Sequence, residues 1–419
     1  MTNQLYFDYA ATSPRIDSVI QSEQDFYKNH NYAIKRGATA KGFEADGIIE
    51  ESRAKIAKYF GAKFGLNEWG DSQDEIVFTS GTTASINLIS QMFLNATILG
   101  PKYLEGGSQN PFFLMPGDKV VVTQAEHHAN LIPWQQLCVK LGLELAFLPL
   151  NPVGEILPDE KILRGAKILA FSGASNVSGV ITQISRIVSI AKRVSPGVIT
   201  VLDAAQIAQH TRLDFAALNV DFAAVSMHKL YGPYGVGVLF GRRELLDAAP
   251  VVNTGGSQVE KVTMLDATFQ KAPAKFEPGT GNWAGIAASA TAIDYLETVV
   301  GGDGTNLELS DGDKNVTKLL EKFNEIDGVT IIGLPKPPKS SSDFTLPTPK
   351  RLPLISFSLS KLDSQEQLIH PHDIGQFLDD SNIIVRVGHH CAQPIHQRFG
   401  LDSSVRLSPG PDTTAEEID

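Results

Sequence analysis

DFAAVSMHKLYG, residues 221–232, decides what kind of sheet this chain builds. Residues 222–225 are apolar without alternation, so both faces of the strand are covered, as in a parallel sheet clothed by helices. The strand then runs directly into Ser226, His228 and Lys229. A lysine at the end of a buried strand loses hydration, which lowers its pKa and makes it a candidate base or nucleophile. The glycines that follow, in YGPYGVG (231–237), let the backbone turn without a side chain near a ligand.

Four other segments repeat the pattern: DEIVFT (74–79), DKVVVT (118–123), AKILAFS (166–172) and GVITVLD (197–203). Helical periodicity falls between them, in TTASINLISQMFLNA (82–96) and ISRIVSIAKRV (184–194). Strands alternating with helices define an α/β domain. An amphipathic helix precedes the series over 46–62, stopped by Gly61, and a long one covers 283–300. A domain boundary is expected near 296–304, with a smaller α+β domain beyond it. Segments 99–117 and 334–353, rich in Pro, Gly, Ser and Lys, read as loops. Near the end, Thr414 stands three residues before Glu417, a capping box that opens a helix. The sequence stops two residues later, so this helix is expected to be cut short.

In an open parallel sheet, ligands bind outside the carboxyl ends of the strands. The first strand is followed by Gly81, Thr82 and Thr83 at a helix start, either an ordinary cap or a phosphate cradle of N–H groups, hydroxyls and helix dipole. After the second come Glu126, His127 and His128, where a histidine is either structural or able to stack on a flat ligand and move a proton. The third leads to Asn176. Asp203 closes the fourth, with Gln206 one turn on. A phosphate binder, a ring stacker, a carboxylate and a lysine on successive strand ends together describe pyridoxal 5'-phosphate. The lysine bonds to its aldehyde, and the carboxylate keeps its pyridine nitrogen protonated so that the ring draws in electrons.

Composition sets the limits. The chain has 419 residues, 42% hydrophobic and 20% charged, enough for one large and one small domain. A formal net charge of −11 argues against nucleic acid and against an anionic membrane surface. Two cysteines, Cys138 and Cys391, are too few for a disulfide framework and suit a reducing compartment. No secretory leader is visible, and no apolar stretch approaches the ~20 residues a bilayer needs. A soluble cytoplasmic enzyme is expected. Cys138, within WQQLCVKLG, reads as a small buried residue. Cys391 follows His389 and His390 in RVGHHCAQPIHQ (386–397), which leaves a metal site, an activated thiolate or a core position open. Adjacent strand residues point to opposite faces, which disfavours a metal, and none is expected.

The stretches DYAATSP, SGTTASINL, AEHHANLIPWQ, LDAAQ, SMHKLYGPYGVGVLFG, FEPGTGN, RVGHHCAQP and SSVRLS run from residue 8 to 408. Through them the sequence resembles the class V, fold type I enzymes that use pyridoxal phosphate. Within that class it is similar to the cysteine desulfurase/selenocysteine lyase family of the Suf type. The resemblance implies a mostly parallel seven-stranded sheet between helices in a large domain, residues 21–297. It implies a small α+β domain over 298–419 that carries the cysteine loop, joined by an N-terminal arm over 1–20. Lys229 would be the Schiff-base lysine, His127 the ring-stacking acid/base, Asp203 the partner of the pyridine nitrogen and Gln206 that of the phenolic oxygen. Thr82, Thr83, Ser226 and His228 would hold the phosphate, completed by Thr280 from the other subunit of a homodimer. Arg406 and Arg386 would meet the substrate carboxylate, with Asn176 nearby.

The implied reaction converts L-cysteine to L-alanine and leaves a persulfide on Cys391. A sulfur-acceptor protein would then draw on it, as in iron–sulfur cluster assembly. Selenocysteine is an alternative substrate. Only a thiolate makes this attack, favoured by positive charge from Arg386 or a protonated histidine. Other enzymes of the class (aminotransferases, epimerases, kynureninase-like hydrolases) need Lys229 and Asp203 but not Cys391. A nucleotide-binding α/β protein would leave both unexplained, and neither its glycine-rich fingerprint nor a P-loop is present. The chain departs from the family at Met227, where glycine is usual, and in PGPDTT (409–414). The first was expected to reshape the phosphate side and the second to disturb the packing around Arg406.

Overall fold

The computed structural model describes residues 4–35, 38–68, 70, 72–300, 316–334, 349–361 and 364–418. Most of the loop expected over 334–353 and part of the boundary expected near 296–304 lie outside the described residues. The chain enters through a short strand, β1 (Leu5–Tyr6), and a helix over Asp17–Asn29. The helix expected over 46–62 begins earlier and spans Ala40–Tyr59. Thr39 caps it by accepting from the Gly42 N–H at 3.1 Å, and Gly61 follows at φ +65°, the left-handed exit that glycine permits.

Seven strands then form the central sheet: β2 (Ile76–Thr79), β3 (Lys119–Thr123), β4 (Glu144–Leu148), β5 (Ala166–Ser172), β6 (Ile199–Asp203), β7 (Phe222–Ser226) and β8 (Gly237–Gly241). Their spatial order is β2-β8-β7-β6-β5-β3-β4. All run in one direction except β8, which is antiparallel to both its neighbours. The five expected strands are present. The chain also supplies β4, at one edge and only partly buried, and the reversed β8 inside the sheet. Residues of β5 and β6 such as Ile168, Leu169, Val201 and Leu202 are fully buried. Hydrophobic clusters cover each face of the sheet, as unbroken apolar strands require. Part of the 99–117 segment joins this core: Phe112 and Leu114 are buried, and Phe112 packs on Phe93 with ring centroids 4.9 Å apart.

A hairpin, β9 (Val259–Val262) and β10 (Ala267–Phe269), precedes the helix Trp283–Val299. Beyond it lies a second, antiparallel sheet of β11 (Val329–Ile331), β12 (Ile355–Lys361), β13 (Ser364–Leu368), β15 (Arg386–Gly388) and β16 (Ser404–Leu407). The remaining strand, β14 (Ile383–Ile384), pairs in parallel with β1, and Phe7 enters the second sheet's core beside Val405 and Leu407. The capping box forms: Thr414 N donates to Glu417 Oε2 at 2.8 Å and Glu417 N to Thr414 Oγ1 at 3.3 Å, opening the helix Ala415–Ile418.

Both family departures have structural answers. Met227 is fully buried in the core beneath Lys229 and does not line the cavity described below. Asp412, from PGPDTT, accepts from Tyr231 Oη at 2.7 Å and Tyr295 Oη at 3.1 Å. Arg406 remains 2% exposed, so that segment packs in order and the expected disturbance does not arise.

Candidate active site

A cavity of about 200 Å³ opens where the carboxyl ends of the central strands meet β15 and β16. Lys229 ends a tight turn after β7 and Asp203 ends β6. Both line the cavity, with Gln206 one turn beyond Asp203. Lys229 keeps a face toward the cavity, yet the protein around its Nζ strips enough water to pull its pKa down to about 8, against the opposing pull of Asp203. Burial pushes Asp203 up while Lys229 draws it down, and its Oδ1 accepts from the Ala205 N–H at 3.0 Å. An amine held near 8 is substantially unprotonated at mildly alkaline pH. Reductive capture of a small aldehyde by Lys229 in the cofactor-free protein should therefore climb about tenfold per pH unit below 8 and level off above it. A climb continuing to pH 10 would show an ordinary exposed lysine.

The phosphate candidates share one end of the cavity. Thr82 and Thr83 start the helix Thr82–Leu99, which has no side-chain cap on Gly81. Ser226 Oγ accepts from Thr82 N at 2.8 Å and donates to Thr82 Oγ1 at 2.9 Å. Gly81 has φ +152°, and a Cβ on the facing Gly237 would lie 2.4 Å from its Cα. Only two glycines let β8 pass this turn. His228 stacks on Tyr234 with centroids 5.7 Å apart, and its Nδ1 is 3.2 Å from Thr12 Oγ1.

His127 Nδ1 accepts from the Ala129 N–H at 3.0 Å, so the neutral ring carries its proton on Nε2. Burial, with Lys229 nearby, lowers its pKa to about 3. Arg386 and Arg406, which also line the cavity, are direct cross-strand partners in β15 and β16. Arg406 Nη2 donates to Asp8 Oδ1 at 2.9 Å and Nη1 to Asn176 O at 3.2 Å, leaving Nε buried without a partner. Asn176, expected near the substrate, uses its Nδ2 on His390 O at 2.6 Å, and its Oδ1 is buried and unpartnered.

Cys391 lines the same cavity and is exposed, whereas Cys138 is buried and its thiol is pushed up to about 11. Strand β15 ends at Gly388, so His390 and Cys391 form a turn and not the strand on which the metal was disfavoured. Among the described residues no group of three or more His, Cys, Asp or Glu side chains could hold a metal ion. The histidines at this cavity are uncharged at neutral pH: burial pulls His390 down to about 2, and His127 is lower than neutrality as noted. Lys229 and Arg406 both feel the Cys391 thiol electrostatically, so positive charge reaches it from them, and neither His127 nor His390 supplies it.

Every expected site residue thus meets at one cavity except Thr280. It sits exposed on the loop after Glu277, outside the cavity of its own chain. That loop is rooted in a buried ion pair: Glu277 accepts from Arg53 at 2.7 and 3.0 Å and from the Phe78 N–H at 2.8 Å. Sequence reading passed over Ala10, Ala11 and Ser172, which also line the cavity. Ser172 is the last residue of β5 and was open to the strand-end rule. It binds the buried Glu126, which accepts from Ser172 Oγ and Asn130 Nδ2, each at 2.6 Å.

The chain matches the family model of class-V aminotransferases over residues 5–419. It is 39% identical over 419 residues to a probable cysteine desulfurase 2 of Mycobacterium leprae (strain TN), covering all of this chain and 90% of that protein. It is 33% identical over 423 residues to a cysteine desulfurase of Pectobacterium carotovorum subsp. carotovorum (strain PC1), covering 99% and 90% of the two chains. Among solved structures, the apo cysteine desulfurase of Thermococcus onnurineus NA1 superposes with a TM-score of 0.81 at 32% identity, covering 99% of this chain and 92% of that one. With a fold, a strand-end lysine and aspartate, and a family match that extend over nearly its whole length, this chain belongs to the class-V aminotransferase family.

Proposed function

We propose that the protein is a pyridoxal-phosphate-dependent cysteine desulfurase that converts L-cysteine to L-alanine and holds the sulfur on Cys391. The observation that carries this reading is the convergence of Lys229, Asp203, two arginines and the exposed Cys391 on one cavity. The residues fit the cofactor. Gln206 Oε1 is buried without a partner, while its Nε2 donates to Ala10 O at 2.8 Å. The helix that starts at Thr82 has no side-chain cap on Gly81, and beyond Thr82 N, which is held by Ser226 Oγ, its first turn offers the Thr83 N–H to a phosphate. Lys229 would hold the aldehyde, Asp203 the pyridine nitrogen, Gln206 the phenolic oxygen, and His127 would stack on the ring. Thr82, Thr83, Ser226 and His228 would hold the phosphate. When bound, the cofactor would supply an electron sink for Cα, from which a proton is removed, and so ease the loss of sulfur from the neighbouring Cβ.

The protein's own groups do the rest. Arg386 and Arg406 grip the substrate carboxylate as charge-assisted donors and so point the Cα–H at Lys229. The Lys229 amine takes that proton, at a pKa near 8 suited to neutral or mildly alkaline conditions. The Cys391 thiolate forms a sulfur–sulfur bond as the substrate's carbon–sulfur bond breaks, leaving the bonding pair with the carbon fragment. Protonation of that carbon and return of a proton to Cα complete alanine, and the persulfide waits for a thiol or an acceptor protein. His127, neutral with Nε2–H exposed to the cavity side, serves as a donor.

In this reading the enzyme is a cytoplasmic homodimer, built from an arm (1–20), a large domain (21–297) and a small domain (298–419). The exposed Thr280 of each chain completes the phosphate site of the other. Selenocysteine is a second substrate. The test is direct: purified protein given L-cysteine should release alanine and form sulfane sulfur in equal amounts, and borohydride should bleach its visible band and label Lys229. Protein that makes no alanine, or whose label falls elsewhere, defeats the proposal.

A further inference from the structure

The sulfur-accepting thiol sits on a turn that its own backbone disfavours. His390 and Cys391 have φ of 51° and 56°, the left-handed region that costs free energy for any residue with a Cβ. Two such residues in succession persist only where their surroundings over-determine them. Backbone bonds do part of this. His128 N donates to Cys391 O at 2.7 Å, and Ala392 N donates to His389 O at 2.9 Å.

The rest comes from a buried chain of three side chains. His396 and Ser404 are fully buried and His390 is 4% exposed. His396 Nδ1 lies 3.0 Å from Ala392 O. A carbonyl only accepts, so the proton is on Nδ1 and the neutral ring has a bare Nε2. That Nε2, 2.9 Å from Ser404 Oγ, accepts the hydroxyl proton. Ser404 then has only lone pairs to offer His390 Nε2 at 3.0 Å, so His390 carries its own proton there. Ala392 O thus sets the His396 tautomer, and the Ser404 hydroxyl passes the constraint on to His390, tying together residues on either side of the thiol.

Ser404 also lies two positions before Arg406 on β16. Residues i and i+2 of a strand share a face, so the support of the thiol turn and the carboxylate clamp project from one side of the same strand. Val405 between them points the other way, into the second sheet's core.

We propose that Ser404 is a positioning residue for Cys391, bridging His390 and His396 so that the left-handed turn keeps the thiol at a set distance from the carboxylate clamp. This rests on the desulfurase reading above. Ser404→Ala deletes the bridge and nothing else of size. With cysteine, kcat should fall roughly ten- to hundredfold, the scale of an ångström's misplacement, while KM stays within about twofold because the arginines are untouched. Alanine release from selenocysteine, which does not need the thiol, should stay within about twofold, and Ser404→Thr, which restores the hydroxyl, should recover most of the lost kcat. In cofactor-free Ser404→Ala protein, the His128 and Ala392 amides, which close the turn on Cys391 O and His389 O, should exchange hydrogen about tenfold faster or more, with amides of β5 and β6 unchanged. The proposal is overturned if kcat with cysteine is unaltered, if selenocysteine turnover falls in parallel, or if the turn's amides keep their protection. Wild-type protein that makes no alanine overturns the functional reading instead, and hydrogen exchange then decides the positioning claim by itself.

Discussion

Lys229→Ala abolishes alanine formation from cysteine, lowering the rate by about 10⁴-fold or more. Lys229 is the amine that opens on the cavity from the central sheet, beside Asp203 and across from Arg386, Arg406 and Cys391. In the proposed reaction it is both the attachment point of the cofactor and the acceptor of the Cα proton, so no neighbour would cover its loss. A factor of 10⁴ corresponds to about 5.5 kcal/mol of barrier, within the range for deletion of a catalytic group. Charge and chemistry can be separated. Lys229→Arg keeps a cation beside the buried Asp203, so that carboxylate retains its counter-charge, but a guanidinium is neither nucleophile nor base near neutrality. Both variants should be equally inactive while Lys229→Arg remains as well folded as the native chain. Turnover above about 1% of wild type in Lys229→Arg would mean that the lysine acts by charge alone.

The second large effect is confined to sulfur. Cys391→Ser should lose cysteine desulfuration by about 10³-fold, because a hydroxyl neither ionises near neutrality nor forms the sulfur–sulfur bond. Selenocysteine turnover should fall only a few-fold, since selenium departs more readily than sulfur. One equivalent of iodoacetamide should react rapidly with the native chain and none with the variant, because Cys138 is buried with its thiol raised to about 11. A Cys391→Ser protein with full cysteine activity would place the chain among class-V enzymes that do not use this thiol.

Most of the site was legible because its residues sit at ends of buried strands, and buried parallel strands announce themselves as unbroken apolar runs. Residues 166–172 and 221–226 are examples, and the lysine and aspartate follow from strand position alone. Strand β4 escaped because it is an edge strand with exposed Glu144 and Phe147, and β8 because its glycines read as a turn. Those glycines in fact let it pass Gly81. The Cys391 turn could not be read at all: left-handed backbone at His390 and Cys391 carries no sequence signal when neither is glycine, and it is imposed by Asn176, His128 and Ser404 from distant segments. For the same reason the metal reading was dismissed on a strand geometry that the chain does not adopt there. Segment 99–117 looked like a pure loop because Pro and Gly dominate it, while Phe112 and Leu114 were the residues that mattered for packing.

Arg386 and Arg406 face each other across β15 and β16, with Cys391 three residues past the end of one strand and Ser404 on the other. Like charges so paired repel, and Asp8 meets only one of them. In the proposed reaction an amino acid's carboxylate would offset that repulsion at the strand from which the thiol turn starts. Grip and sulfur removal share one lever. Any rocking of that sheet relative to the lysine-bearing strands would carry the two arginines and the thiol turn as a pair.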